Sequence, residues 1–537
     1  MIRDPIREGL AAGWKVIDAA ALERDLELEA DVVVIGSGAG GGVSAEILAL
    51  AGLKVVIFEE GPLKSSTDFK MREREAYPQL YQESAGRQTL DKAITILQGR
   101  CVGGSTTVNW TSSFRTPART LAYWTSHLGL KTMGEAELEP WFRRIEERLG
   151  VAPWQVAPNE NNDILRRGCE KLGFPTASIQ RNVKGCWNIG YCGMGCPTNA
   201  KQSMLVTTIP AALDRGATLV HRAQVARLVM QGDRVVACEA HGIAGNGASP
   251  SPRRVRARAR HFILAAGAIG SPGILLRSAA PDPHVTLGKR TFLHPTAVSA
   301  AVMPQRVDGH NGAPQTVYSD HFLDSVPLDG PAGFKLESAP THPVLVGITL
   351  PGFGEEHARW MEKFGNTQVV IALLRDGFHP QSQGGRVVLR SDGTPVLDYR
   401  MSPYLWEGVR RAYLTMAEIQ FAAGAKTVMP MHESRTATSS WREARAAIRA
   451  LPMRALEARI VTAHVMGGCT MGARPRTSVV DESGRHHQLA NLSVHDGSVF
   501  PTSLGANPQV SIYALAARAT TGLLAALGKT PQGIPSS

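Results

Sequence analysis

No run in this chain approaches the about 18 consecutive apolar residues a membrane-spanning helix needs. Its first residues, MIRDPIREGLAAGWKV, hold neither an apolar signal core nor a twin arginine. As it stands the sequence predicts no transmembrane helix and no Sec or Tat signal, and a chain that is cytoplasmic or peripheral to a membrane. Cysteine is scarce: seven among 537 residues, an odd number that cannot be fully paired within one chain. Aromatic residues make up 6%, and the basic segments lack the interleaved aromatics of a nucleic-acid groove, so no nucleic-acid partner is expected. There is no internal repeat and no low-complexity tract beyond a short loop at 242–252. Lys and Arg exceed Asp and Glu by 58 − 47 = 11, a mild bias consistent with ordinary solubility. With 43% apolar residues, the chain is long enough for two domains.

What is present begins at Asp31. DVVVIGSGAGGGVSAEILALAGLKVVIFEEGP opens with a β-branched run, Val32 to Ile35, that suits a buried parallel strand. Gly36, Gly38 and Gly41 follow in G-x-G-x-x-G spacing, then a small-residue helix and a second strand ending at Glu59. Gly36 allows a tight turn, Gly38 lets backbone approach a pyrophosphate, and Gly41 lets helix and strand pack closely. The helix start offers free N–H groups to phosphate, and Glu59 is placed to accept hydrogen bonds from ribose hydroxyls. An acid there disfavours a 2′-phosphate. Strand, turn, helix, strand and acid in order predict a Rossmann-type α/β domain that binds a dinucleotide.

Three further stretches follow: GRCVGGSTTVNW (99–110), AAGAIGSPGILLRSA (265–279), and the pair HVMGGCTMG (464–472) and LSVHDGSVFPTSLGANPQ (492–509). Together with the first motif they resemble, in order and across nearly the whole chain, the glucose–methanol–choline (GMC) family of FAD-dependent alcohol oxidases and dehydrogenases. VNWTSSFRTP and CGMGCPTNAKQS look most like the long-chain fatty alcohol oxidase branch and its bacterial relatives.

The resemblance implies FAD along Gly36, Gly38, Gly41 and Glu59, with Gly103, Gly104, Ser105 and Asn109 beside the flavin. Asp496 and Gly497 would lie near the pyrophosphate and ribitol, and Val225, a looser match, near adenine. Some members tether FAD through a histidine where this chain has Val108, so non-covalent FAD is expected. His464 and Asn507 match the family's catalytic pair. An imidazole suits removal of a hydroxyl proton near neutral pH, and an amide can hold the substrate oxygen without titrating. His294, in a family-like FLHP stretch, is expected to be a structural or flavin-domain residue, and His495 to be structural. The implied architecture is a discontinuous FAD-binding domain (25–125, 205–295, 460–530) and a substrate-binding domain built around a β-sheet (126–204, 296–459). The expected reaction is oxidation of a hydrophobic or long-chain alcohol. A sugar or polyol dehydrogenase, or a flavoprotein with a non-redox or photochemical role, stays open.

Three of the seven cysteines, Cys186, Cys192 and Cys196, fall within eleven residues. A metal or iron–sulfur site, a disulfide and a merely cysteine-rich loop all remain open from the residues. Structural zinc lacks a fourth ligand. The spacing resembles that of bacterial FAD-dependent glucose dehydrogenases, which implies a three-iron [3Fe-4S] cluster relaying electrons to a cytochrome or quinone. Two segments are basic: Arg254, Arg256, Arg258 and Arg260 alternate along a half-exposed strand, and Trp441–Arg459 reads as a helix pair broken near Pro452.

Overall fold

The structure is a computed structural model that describes residues 2–244, 247, 249–434 and 437–530. Residues 245, 246 and 248 of the low-complexity loop, and 435 and 436 of the expected substrate domain, lie outside the described residues.

Val32, Val33, Val34 and Ile35 are at most 3% exposed, as β-branched side chains covered on both faces must be. They end the strand Leu26–Ile35, at the centre of an eight-stranded sheet. This strand pairs in parallel with Val55–Phe58 on one side and with Pro250–Leu264 on the other. Thr218–His221 and Lys15–Asp18 extend the first side; the second continues antiparallel through Arg234–Ile243 and Ala223–Gln231. The short strand Leu492–Val494 adds in parallel to Pro250–Leu264, bringing the fourth motif to the same strand ends as the first. Lys15–Asp18 lies before residue 25, so this sheet draws on more of the chain than the boundaries expected from the motifs.

A second eight-stranded sheet is built around Thr296–Val302, which pairs antiparallel with Thr367–Leu374, Thr427–Pro430 and Ile460–Thr462. Alternation sorts the side chains of Thr367–Leu374. Val370, Ala372 and Leu374 are fully buried in a core that includes Val409, Tyr413 and Met416 of the helix Pro403–Ala422. Val369, Ile371 and Leu373 face the other way, toward the first sheet's loops. A four-stranded sheet is formed, in order, by Pro395–Asp398, Gly385–Leu389, Lys289–Leu293 and Val465–Gly467.

The basic strand follows its alternation at most positions: within Pro250–Leu264, Val255 and Ala257 are buried and Arg254, Arg258 and Arg260 are exposed, while Arg256 is half-buried. The basic helix pair does not form. Trp441–Ala450 is helical and ends before Pro452, whose ring and missing N–H do not let a helix run on through it, and the chain from there to Arg459 runs as turns without a second helix.

Candidate active site

The strand Leu26–Ile35 ends at Gly36, whose φ of +104° and whose approach to Ala265 exclude a side chain; a Cβ there would lie 2.3 Å from the Ala265 carbonyl oxygen. Gly41 seats the next helix, Ala39–Leu50, against this turn, where a Cβ would fall 1.9 Å from the Gly36 oxygen. No side chain caps this helix, so its first N–H groups remain unsatisfied beside a cavity that Gly36, Gly38, Ala39 and Gly40 line. The helix Gln509–Ala526 also starts uncapped on this cavity, whereas the first N–H of Gly267–Arg277 is taken by the Asp496 carboxylate.

Two buried carboxylates knit the motifs together. Glu59 accepts hydrogen bonds from the Ser37 N–H (3.1 Å), the Ser37 hydroxyl (2.6 Å) and the Gly61 N–H (2.8 Å). The Gly103 N–H donates to Ser37 Oγ at 3.0 Å, so Ser37 joins the first glycine loop to the second. Asp496 accepts from the Gly267 N–H (2.9 Å), the Ser271 hydroxyl (2.5 Å) and the Ser498 N–H (2.8 Å), joining the third motif to the fourth. Burial pushes both carboxyls above their ordinary range.

The cavity is about 1100 Å³, above the usual range for a single small ligand. Of the residues singled out by the motifs, Gly36, Gly38, Glu59, Gly104, Ser105, Asn109, Val225, Asp496, Gly497, His464 and Asn507 line it, as does Val108. Gly41 and Gly103 stand behind the wall as packing positions. The second sheet supplies an apolar face: Val298, Val369, Ile371 and Leu373, with Leu345 and Leu456 nearby.

His464 and Asn507 meet the cavity from the last two motifs, and the side chains that hold them were not legible in the sequence. His464 Nδ1 lies 3.0 Å from His294 Nδ1, the two rings nearly perpendicular. His294 is fully enclosed, and its Nε2 accepts the Gly505 N–H at 3.1 Å. Burial, then the nearby Lys335 ammonium, pulls His464 down to about 4, so it is a neutral imidazole at neutral pH. Burial, then His464 and Lys335, holds His294 well below its ordinary value too. The Asn507 amide makes a long contact of 3.5 Å to Glu337, which also accepts from Gln315 at 2.8 Å. Glu337 is completely buried, and burial pushes it up to about 7. One oxygen of Glu337 and the Asn507 Oδ1 have no partner, which marks the edge of an unfinished polar network. Lys335 pairs with Asp320 at 3.0 Å and sits 3.5 Å from the Phe114 ring centroid.

Asn109 is clamped at the cavity wall, its amide donating to Gln509 at 2.7 Å while Tyr513 donates to the same Gln509 oxygen at 2.9 Å. Beneath it lies Lys201, which is 2% exposed and donates to the carbonyls of Thr107 (2.9 Å), Asn109 (2.5 Å) and Cys192 (2.7 Å). The Tyr81 hydroxyl donates to the Gly193 carbonyl at 2.6 Å. The cysteine loop therefore buttresses the segment beside the cavity through its backbone.

Its thiols do not form the expected cluster site. Among the described residues no three His, Cys, Asp or Glu side chains are grouped so as to hold a metal ion, and Cys186, Cys192 and Cys196 are all free thiols. Each turns to a separate neighbour. Cys186 Sγ takes the Asn188 N–H at 3.4 Å, Cys192 Sγ faces Arg181 at 3.6 Å, and Cys196 Sγ lies 3.4 Å from the Thr198 hydroxyl. His495 is packed away from the cavity chemistry, its Nδ1 between the hydroxyls of Ser44 (2.9 Å) and Thr520 (3.1 Å).

Fold and cavity define the class: a Rossmann-type α/β protein whose glycine loops and a second, covering sheet enclose one chamber. The GMC oxidoreductase N-terminal model matches residues 77–296 and the C-terminal model residues 380–516, and the chain belongs to this FAD-binding family of oxidoreductases. A long-chain-alcohol oxidase of Arabidopsis thaliana is 29% identical over 91% of this chain and 68% of its own length. A GMC-type oxidoreductase of Mycobacterium tuberculosis is 30% identical over 91% of this chain and 74% of its own. Paromamine 6′-oxidase of Streptomyces fradiae is 30% identical over 96% and 94%. Among solved structures, pyridoxine 4-oxidase from Mesorbium loti matches with a TM-score of 0.67 over 92% of this chain and 98% of its own, at 18% identity, a likeness of fold. No helix among the described residues is long and apolar enough to cross a membrane.

Proposed function

We propose that this chain binds FAD without a covalent link and oxidises the hydroxyl of a hydrophobic alcohol to the aldehyde or ketone. One observation carries the reading: His464 and Asn507 enter the same chamber as the uncapped helix starts and glycine loops, on a side walled by Val298, Val369, Ile371 and Leu373. The backbone around Gly36, Gly38 and Gly104 leaves the close approach a dinucleotide needs; a Cβ on Gly104 would lie 2.7 Å from the Gly38 Cα. Gly38 to Gly40 would hold phosphate and Glu59 ribose, with Asn109, Asp496 and Gly497 along the ribityl and ring portion and Val225 near adenine. Val108 carries no group that could bond to the flavin. Bound FAD would supply the hydride acceptor.

The chain's own residues do the rest. The apolar strand face binds the hydrocarbon of the substrate and excludes water from it. Asn507 aligns the substrate oxygen, itself held by Glu337. His464 takes the hydroxyl proton at its Nε2, the nitrogen His294 leaves to the chamber. Residues 25–125, 205–295 and 460–530 would form the FAD-binding domain around the first sheet, and 126–204 and 296–459 the substrate-binding domain around the second. The name of the Arabidopsis relative supports a long-chain alcohol, and that of the Streptomyces relative an amino-sugar hydroxyl; the apolar wall favours the first.

The test is anaerobic titration of the purified protein with primary alcohols and polyols, following the flavin absorption band. Bleaching by long-chain primary alcohols is expected. A flavin that no alcohol bleaches, or that only polyols bleach, would refute the reading.

A further inference from the structure

His294 touches nothing in the chamber, yet both its ring nitrogens are engaged. Nε2 faces a backbone N–H, that of Gly505, which can only donate. The ring orientation follows from the contacts: flipped by 180°, it would present carbon to both Gly505 and His464. Nε2 of His294 must therefore be bare. A neutral His294 carries its proton on Nδ1 and donates it to His464 Nδ1, 3.0 Å away. His464 Nδ1 is then an acceptor, and a neutral His464 has its own proton on Nε2, toward the chamber.

We propose that His294 is a positioning residue that sets the tautomer of His464: the resting ring presents an Nε2–H donor to the chamber and becomes a base only when both rings change tautomer together. The inference rests on the proton-handling role given to His464 above. The bookkeeping closes. The resting pair holds two ring protons, on His294 Nδ1 and His464 Nε2. The base form holds the same two, on His294 Nε2 and His464 Nδ1, and leaves His464 Nε2 bare to take the hydroxyl proton. That form turns His294 Nε2–H toward the Gly505 N–H and strips a buried donor of its acceptor. Such a loss sets the base form at roughly one part in ten to one in a hundred of the resting enzyme. The surroundings disfavour the alternative in which an extra proton charges the pair. The Lys335 ammonium, itself paired with Asp320 at 3.0 Å, disfavours positive charge on both rings, and His294 is fully enclosed while His464 is half-buried at the chamber wall. The arrangement gives the oxygen of a carbonyl product a donor at once, while an alcohol must first draw the pair into its minor form.

The tautomer is read directly by nitrogen NMR on the flavin-containing protein labelled with 15N-histidine, the His464 signals being assigned by their absence in His464→Gln. The expected result is a protonated, pyrrole-type Nε2 and a bare, pyridine-type Nδ1 on His464, with the opposite pattern on His294. In His294→Phe the bias should vanish and the two His464 shifts should move toward a common average. A bare Nε2 on His464 in the wild-type protein would overturn the proposal, as would His464 shifts that His294→Phe leaves unchanged. If the variant does not fold, the wild-type spectrum still decides. The expected tautomer in a protein whose flavin no alcohol reduces would leave this inference standing and remove the alcohol reading instead.

Discussion

Lengthening the substrate is the most direct probe of the strand Thr367–Leu374. Its residues Val369, Ile371 and Leu373 present one apolar face to the chamber, and the chamber, at about 1100 Å³, has room for a chain beside a bound nucleotide. Moving one methylene from water onto such a face is worth about 0.8 kcal/mol. At about 1.4 kcal/mol per factor of ten, that is about fourfold in kcat/KM for each added carbon. A series of primary alcohols from butanol to dodecanol, assayed by flavin reduction without oxygen, should climb with roughly that slope and flatten once the apolar wall is covered. Ile371→Asn sets an amide into the middle of this wall. It should lower kcat/KM for the longest alcohols by about tenfold, a loss of one to two kcal/mol of apolar contact and amide desolvation, and leave butanol within about twofold. A flat series, or an Ile371→Asn defect equal for short and long alcohols, would refute the assignment of this face to substrate.

His464→Ala should cut flavin reduction by roughly 10²–10⁴ with the flavin still bound, and Asn507→Ala should cut it less, since alignment rather than proton transfer is lost; stopped-flow absorbance distinguishes them. The neutral imidazole is the working form and its value is held at about 4, so the acid limb of the rate profile should fall near pH 4 rather than near the ordinary ~6.5, with full rate above it. Lys201→Met leaves the carbonyls of Thr107, Asn109 and Cys192 without their donor, at about 1–3 kcal/mol for a buried unsatisfied group, and should lower the Tm by several degrees in a thermal scan. Acid precipitation should release the flavin into the supernatant, and colour kept in the pellet would contradict the non-covalent site that Val108 implies.

The residues that were legible in the sequence are those whose role is local. Gly36, Gly38, Gly41 and Glu59 declare themselves because the turn, the helix start and the strand end lie within one short βαβ unit. His464 and Asn507 were found through their motifs. His294, Glu337, Lys201 and Ser37 were not, because each acquires its meaning from a partner far along the chain: His294 from a residue 170 positions away, Lys201 from carbonyls 92 and 94 positions away. A buried lysine or glutamate looks like any other in a string of letters, and only the fold reveals what surrounds it. The cysteine loop is the converse case. Close spacing in the sequence says nothing about where side chains turn, and here the three thiols contact Asn188, Arg181 and Thr198 while no group suited to a metal ion is found among the described residues. Pro452 was read as a break between two helices, whereas one helix ends before it and no second one follows.

The glycine contacts also bear on how relatives of this chain can be recombined. The first loop meets the third motif at Gly36 and Ala265, the second at Gly38 and Gly104, and the fourth at Gly40, where a Cβ would fall 1.4 Å from the His495 oxygen. These are backbone-on-backbone junctions with no flexible side chain to absorb a mismatch. A chimaera that takes residues 25–125 from one parent and the remainder from another would keep the Gly38–Gly104 junction but cut across the other two at once. Exchanges confined to the second sheet, around Thr367–Leu374 or the helix Pro343–Thr349, cross none, so altered substrate preference is more readily grafted into this scaffold than an altered cofactor seat.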